Sequence, residues 1–276
     1  MTTRLLGRSL GTLATLATFA ACKGEQAAPA PDTVASAPTA NGAGATPTYG
    51  YTLVATLPHD PTAFTEGLFI KDGKLYESTG LEGKSDIRRE DLATAGVELR
   101  HTVPAPYFGE GIVAFGDNLY ELTWKNQKAF VYDLKTFAPK DTLSYTGEGW
   151  ALTTDGSVLY MSDGTSRLRV LDPKTFAVLR TIDVHDGGSP VSNLNELEWY
   201  KGELLANVWQ SWQLARIDPK TGNVTGWIDL TGILVPADKN GTEDVLNGIA
   251  YDAATDRLYV TGKNFSKLYQ ITLKQR

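Results

Sequence analysis

One short phrase returns five times along this chain. It reads "FTEGLFI" at 64–70, "FGEGIVA" at 108–114, "TGEGWAL" at 146–152, "LNELEWY" at 194–200 and "LNGIAYD" at 246–252. Superimposed, the phrases align Glu66, Glu110, Glu148, Asn195 and Asn247, and a glycine follows all of these but Asn195. The intervals are 44, 38, 47 and 52 residues. A period of about 40–50 residues is that of a supersecondary unit that cannot bury its apolar face alone and must stack on its own copies.

Each head is followed by a turn and a second strand-like run: "LYESTG" (75–80), "LYELTW" (119–124), "LYMSDG" (159–164), "LLANVW" (204–209) and "LYVTGK" (258–263). The linking turns carry Gly, Asp or Asn, as hairpins require. Third runs follow ("SDIRREDL", "AFVYDLKT", "RLRVLDPKT", "QLARIDPKTG", "KLYQITL"), and "DPKT" turns lead to fourth runs such as 178–184 and 224–230. The fifth unit ends after its third run, while "YTLVATLP" (51–58) stands before the first head without a partner. Placing it in the last unit removes a long sheet edge. The sequence thus predicts an all-β fold, a five-bladed β-propeller whose N-terminal strand closes the last blade.

In such a fold the first strand of each blade lines the axis. The aligned Glu66, Glu110, Glu148, Asn195 and Asn247 are then expected as a ring at one mouth. The ends of the second strands, Gly80, Trp124, Gly164, Trp209 and Lys263, are expected around the same mouth, with Trp150, Phe64 and Phe108 beside them. This describes an aromatic pocket floored by carboxylates and amides. The competing reading is structural: the glutamates cap strand-end N–H groups and the tryptophans pack between blades. Glu and Asn oxygens at the axis would also suit a structural calcium ion. His59, His101 and His185 lack zinc-ligand spacing and read as surface or turn residues. The sequence contains neither a glycine-rich phosphate loop opening a helix nor a Gly-x-Ser-x-Gly elbow.

The N-terminal part is of another kind. Residues 1–21 read as a secretion signal, with Arg4 and Arg8 ahead of an apolar run from Leu13 to Ala21 that is too short to span a bilayer. The signal ends in "FAACKG", and Cys22, the only cysteine, is placed as the lipid-carrying residue of a lipoprotein. Residues 22–48 are rich in Ala, Pro, Thr and Gly and read as a flexible tether, which leaves 49–276 as the folded domain. The expected location is the periplasm, on an outer-membrane lipoprotein that meets the membrane through its lipid alone. Formal net charge is −6, and about −8 once Arg4 and Arg8 leave with the signal. That argues against a nucleic-acid partner. A monomer is expected.

The phrases "FTEGL", "ESTGLEGKS", "YFGEG", "GEGWAL", "LNELEW", "ARID", "LNGIAYD" and "VTGK" together resemble the plant-type (type I) glutaminyl-peptide cyclotransferases, or glutaminyl cyclases, here as a bacterial member. The likeness covers 51–273. It implies a five-bladed β-propeller that converts the N-terminal glutamine of peptides and proteins to pyroglutamate, releases ammonia and needs no catalytic cofactor. It implies that Glu110 is the catalytic glutamate. Phe64, Phe108, Trp124, Trp150 and Trp209 match the family's aromatic pocket. Asn195 matches a polar substrate contact and Lys263 the lysine at the mouth. Glu66 departs from the plant pattern, which has glutamine there, and is placed among the substrate-binding residues. Two other classes fit the bare pattern: a lipid-anchored propeller that only binds, and a five-bladed glycoside hydrolase using two of the ring carboxylates.

Overall fold

The computed structural model describes residues 44–275. The signal segment, Cys22 and the tether as far as residue 43 lie outside the described residues. The rest is β-structure, with a single short 3-10 turn at Pro236–Asp238 among the described residues.

Strand β1 spans Thr48–Pro58. Four strands then form the first unit: β2 (Thr65–Lys71), β3 (Lys74–Thr79), β4 (Asp86–Asp91) and β5 (Gly96–Thr102). The second holds β6 (Gly109–Phe115), β7 (Asn118–Thr123), β8 (Lys128–Asp133) and β9 (Pro139–Ser144). The third holds β10 (Ala151–Thr154), β11 (Leu159–Ser162), β12 (Arg167–Leu171) and β13 (Val178–Asp183). A small hairpin follows, β14 (His185–Asp186) with β15 (Ser189–Pro190). The fourth unit is β16 (Leu194–Tyr200), β17 (Glu203–Val208), β18 (Gln213–Ile217) and β19 (Val224–Asp229), and the fifth begins with β20 (Leu246–Asp252), β21 (Arg257–Gly262) and β22 (Lys267–Gln275). Within each unit, successive strands pair antiparallel. Strand β1 runs antiparallel to β22 from Tyr49 to Pro58, so the unpartnered N-terminal run does find its place beside the last strand. Its first two residues also pair parallel with β19, which joins the fourth and fifth units into one eight-stranded sheet.

The burial pattern follows position in the unit. β2, β6, β16 and β20 each have five consecutive buried residues, because neighbouring units cover both faces. The fourth strands β5, β9 and β13 are largely exposed and carry Lys, Arg, Asp and Glu, which blunts their free edges. The core is divided into apolar layers between units. Phe69, Tyr76 and Ile87 meet Ile112, Leu119 and Phe137 between the first and second; Leu205 and Leu214 meet Ile249 and Val260 between the fourth and fifth. Leu68 and Leu75 meet Ala250 and Tyr259 between the fifth and first. Each fully buried side chain of this size contributes roughly 1.5–3 kcal/mol.

The turn from third to fourth strand has its own signature, Asp-x-x-Thr. Asp91, Asp133, Asp172 and Asp218 each accept the backbone N–H of the threonine three residues on, and the next residue takes a left-handed conformation (Ala95, Phe137, Phe176, Gly222). An Asx-type side-chain bond fixes the turn wherever the motif occurs.

Two expectations need correction. β2, β6, β16 and β20 each start one residue before the aligned head residue, but β10 starts three residues after Glu148. The third head is therefore a loop, and Glu148 leaves the ring. His59 is not a surface or turn residue. It is 4% exposed, with Nδ1 2.7 Å from Phe265 O and Nε2 3.1 Å from Glu77, a bridge between the fifth and first units that its position after β1 dictates.

The glycines after the first two heads are required by close approach of backbone. A Cβ on Gly67 would lie 2.6 Å from Ile112 N and 2.8 Å from Gly111 Cα; one on Gly111 would strike Ala151 Cα and lie 2.7 Å from Leu152 N. Backbone cannot step aside as a flexible side chain can. Gly111→Ala is expected to destabilise the fold by about 3 kcal/mol in urea unfolding, whereas Gly44→Ala, whose Cβ meets nothing within 4 Å, is expected to leave the midpoint unchanged.

Candidate active site

The pairing of first and second strands slips at every head where the strand is formed: between Thr65 and Gly67, Gly109 and Ile112, Leu194 and Leu197, and Leu246 and Ile249. Glu66, Glu110, Asn195 and Asn247 thus sit in β-bulges, which re-aim a side chain out of the regular alternation. The residue after each second strand is tied back to the same place. Gly80, Trp124, Trp209 and Lys263 donate their backbone N–H to Phe64, Phe108, Asn193 and Val245, each two residues before its head.

These elements enclose a cavity of about 520 Å³. Phe64, Glu66, Phe108, Glu110, Trp124, Trp150, Asn195, Trp209 and Lys263 all line it, so every substrate and catalytic residue expected from the sequence is brought together. Asn247 is not in the lining. It is fully buried and donates to Thr65 O at 2.9 Å. Glu148 is not in the lining either. Gly80 and Gly164 serve by being small: a Cβ there would lie 2.5 Å from the Phe108 ring and 2.6 Å from the Trp150 ring. The sequence reading missed Leu81, Gln210, Asp244 and Val245. Alignment holds a signal for three of them. Val245 precedes its head by two, as Phe64 and Phe108 do, and Leu81 and Gln210 each follow the second-strand end by one, both with left-handed backbone.

The walls are aromatic. Phe64 meets Phe108 edge-on with centroids 6.3 Å apart, and Phe108 leans on Trp124 at 5.6 Å. Across from them Trp150 meets Trp209 edge-on at 5.8 Å. Trp209 is 36% exposed and stands at the rim.

The floor is ionic and buried. Lys263 Nζ lies 2.6 and 2.7 Å from the two oxygens of Glu66, and 4.4 Å from the Phe64 ring centroid. Glu66 and Glu110 are 2% and 5% exposed and lie close enough to act on each other's ionisation. Burial is the main force on both and favours the neutral form. For Glu110 the nearby charge of Glu66 adds to it, so its carboxyl is held well above the usual range. Lys263 offsets part of the effect on Glu66. The balance favours the proton on Glu110 and the negative charge on Glu66, beside the ammonium. Asn195, 3% exposed, has no hydrogen-bond partner for its side-chain oxygen.

Glu66 is not a free donor for an axial calcium ion. The ammonium of Lys263 already engages both oxygens of Glu66, and among the described residues no group of three or more His, Cys, Asp and Glu is arranged to hold a metal.

Comparison with known proteins places this arrangement. The model of the glutamine cyclotransferase family matches residues 26–273. A glutaminyl-peptide cyclotransferase of Arabidopsis thaliana is 46% identical over 227 residues, which cover 81% of this chain and 71% of that protein. The crystal structure of Myxococcus xanthus glutaminyl cyclase matches with a TM-score of 0.78 at 33% identity, covering 84% of this chain and 99% of the other.

The carboxyl pair sets a titration. Glu66→Gln removes the charge that raises Glu110 and releases Lys263 to act on it, so Glu110 is expected to titrate at lower pH, read from its carboxyl signal in NMR. Both groups lie above their unfolded values, so the stability they confer is full below the usual carboxylate range and is lost as pH rises through their folded values. That alkaline loss should shrink in Glu66→Gln. An unmoved Glu110 signal would mean that the two carboxyls do not share a proton.

Proposed function

This chain belongs to the glutamine cyclotransferase family, and from that premise we propose that it is a glutaminyl-peptide cyclotransferase in which Glu110 carries the proton. One observation carries the assignment of roles: two buried carboxyls, Glu110 and Glu66, with one lysine beside them and solvent-excluding aromatic walls around them, line the same pocket.

The reaction joins the α-amine of an N-terminal glutamine to its own γ-carbonyl carbon and expels ammonia. It is intramolecular, so holding the side chain folded back supplies much of the acceleration. A narrow space between Phe108, Trp124, Trp150 and Trp209 suits that task. A free α-amine titrates near pH 8, so a neutral nucleophile is available without a strong base. Proton balance requires that the attacking nitrogen lose one proton and the leaving nitrogen gain one. Glu110 starts loaded: it gives its proton to the departing amide nitrogen and takes one from the attacking amine. Glu66 and Lys263 hold the residual charge while this happens. Asn195, with an unpartnered oxygen, is the side chain left to hold the substrate's polar groups. The acidic residues in the lining, Glu66, Glu110 and Asp244, outnumber the single Lys263, which favours an amine-bearing ligand.

The same reading takes the fold as a five-bladed β-propeller, with β1 as the closing strand. Five repeating units and the apolar layers between neighbours support it. A glycoside hydrolase would need its two carboxyls roughly 5–9.5 Å apart. Glu66 is 2% exposed with both oxygens engaged by Lys263, which speaks against it as one of such a pair.

Two outcomes are expected. Purified protein releases ammonia from a Gln-initiated dipeptide, and Glu110→Gln, equal in volume but unable to exchange the proton, lowers kcat about 10²-fold or more at an unchanged melting temperature. Retained turnover in Glu110→Gln would move the proton transfer elsewhere. For location, we propose a lipid-anchored periplasmic protein, resting on the apolar leader and Cys22. Mass spectrometry of the mature protein should find a diacylglyceryl-modified Cys22 at its N-terminus, and an unmodified start at another residue would exclude the anchor.

A further inference from the structure

The two aromatic walls of the cavity meet at one carboxylate oxygen. Glu148 Oε2 accepts the indole N–H of Trp124 at 2.7 Å and that of Trp150 at 3.0 Å. Trp124 ends the wall that begins at Phe64, and Trp150 begins the wall that ends at Trp209. Glu148 is therefore the clasp of an arc of five rings.

The clasp is held from behind. Arg169 donates through Nη1 to Thr146 O at 2.6 Å, and through Nη2 to Glu148 O and to Asp163 Oδ2, the last at 3.2 Å. Gly149 N donates to Trp124 O at 3.1 Å, tying the loop to the second unit. Lys125 Nζ lies 3.7 Å from the Trp124 ring centroid and 3.9 Å from Glu148 Oε1. An exposed glutamate would sample many rotamers. This one is fixed at its backbone and at its tip, and charge-assisted acceptance from two indoles is stronger than acceptance by a neutral group.

We propose that Glu148 is a positioning residue: it sets the gap between the Trp124 and Trp150 walls, and so how tightly the folded-back glutamine side chain is held. The inference rests on the cyclotransferase reading for its substrate. It assigns a role to the one aligned glutamate that lies outside the cavity lining. Its charge has a second reach, since Glu148 is among the groups that keep Glu110 protonated.

The test compares two substitutions on a Gln-initiated dipeptide. Glu148→Ala leaves both indoles without an acceptor and is expected to raise KM about tenfold, with kcat changed by less than about threefold, the pattern of lost uniform binding. Glu148→Gln keeps an amide oxygen for the same protons and is expected to restore KM to within about twofold of the parent. Neither variant keeps the charge, so in both the Glu110 limb of the pH–rate profile should move to lower pH. An unchanged KM in Glu148→Ala, or equal KM defects in the two variants, overturns the proposal. If Glu148→Ala melts early, Trp150→Phe, which loses one donor and keeps a ring, must reproduce part of the KM rise; failure to do so also overturns it. Near-UV circular dichroism without substrate separates this inference from the reaction. A parent protein that releases no ammonia would sink the cyclotransferase reading alone. The clasp then stands if Glu148→Ala alters the indole bands and Glu148→Gln restores them, and falls if the bands are unchanged.

Discussion

The inner strands stand closer together at their heads than side chains would permit, and most of what is distinctive in this molecule follows from that. With Gly67 against Gly111 and Gly111 against Ala151, backbone polar groups of neighbouring units come within bonding distance. Ser78 Oγ donates to Glu110 O at 2.5 Å, Gly111 N to Trp150 O at 3.0 Å, Ser162 Oγ to Asn195 O at 2.8 Å, Gly248 N to Asn207 Oδ1 at 3.1 Å, and Asn247 Nδ2 to Thr65 O at 2.9 Å. These five bonds link each unit to the next and the last to the first. They occupy the groups that the bulges withdraw from regular pairing, where an unpaired buried donor or acceptor would cost about 1–3 kcal/mol. Glu196 does the same lower down, accepting from Leu68 N and Ile249 N.

A frame so tied can hold an unfavourable floor. Burying Glu66, Glu110 and Lys263 together is a poor way to gain stability, since desolvation of buried ions commonly outweighs their attraction. The arrangement therefore makes sense as chemistry: Lys263 compensates one charge, and the second carboxyl, denied a counterion of its own, keeps its proton. Glutamine at position 66 would leave Lys263 free and Glu110 easier to ionise. The glutamate thus sets the protonation state in which the site waits.

The legible part of this structure was what repeats. Five heads, their glycines, the second-strand ends and the spare N-terminal run located most of the strands, the pairing of β1 and nine residues of the cavity lining, because a repeated phrase in a repeated unit occupies one structural position. Whatever departs from the repeat was invisible. Glu148 has the same neighbours in sequence as Glu110, yet the strand it should open begins only at Ala151, and a bond network from Arg169 holds the loop elsewhere. Arg169 is 21 residues further on, and nothing local announces the contact. His59 failed for a related reason. A histidine after a Pro in a turn-like stretch reads as exposed, and only closure between the first and fifth units buries it against Glu77 and Phe265.

That third-unit departure also bears on how units built on one repeat can form a site with a direction. Five equal heads would place five equivalent groups about an axis and offer a substrate no unique orientation. Here the first and second units give the carboxyl pair, the fifth gives the lysine that polarises it, and the fourth gives Asn195 with Trp209. The third contributes no floor group. Its displaced loop turns Trp150 into the cavity and uses the glutamate to fasten that ring to Trp124. The carboxyl pair and its lysine come from the first, second and fifth units, and the fastened indoles Trp124 and Trp150 from the second and third. Local loss of the repeat gives equivalent positions unequal roles.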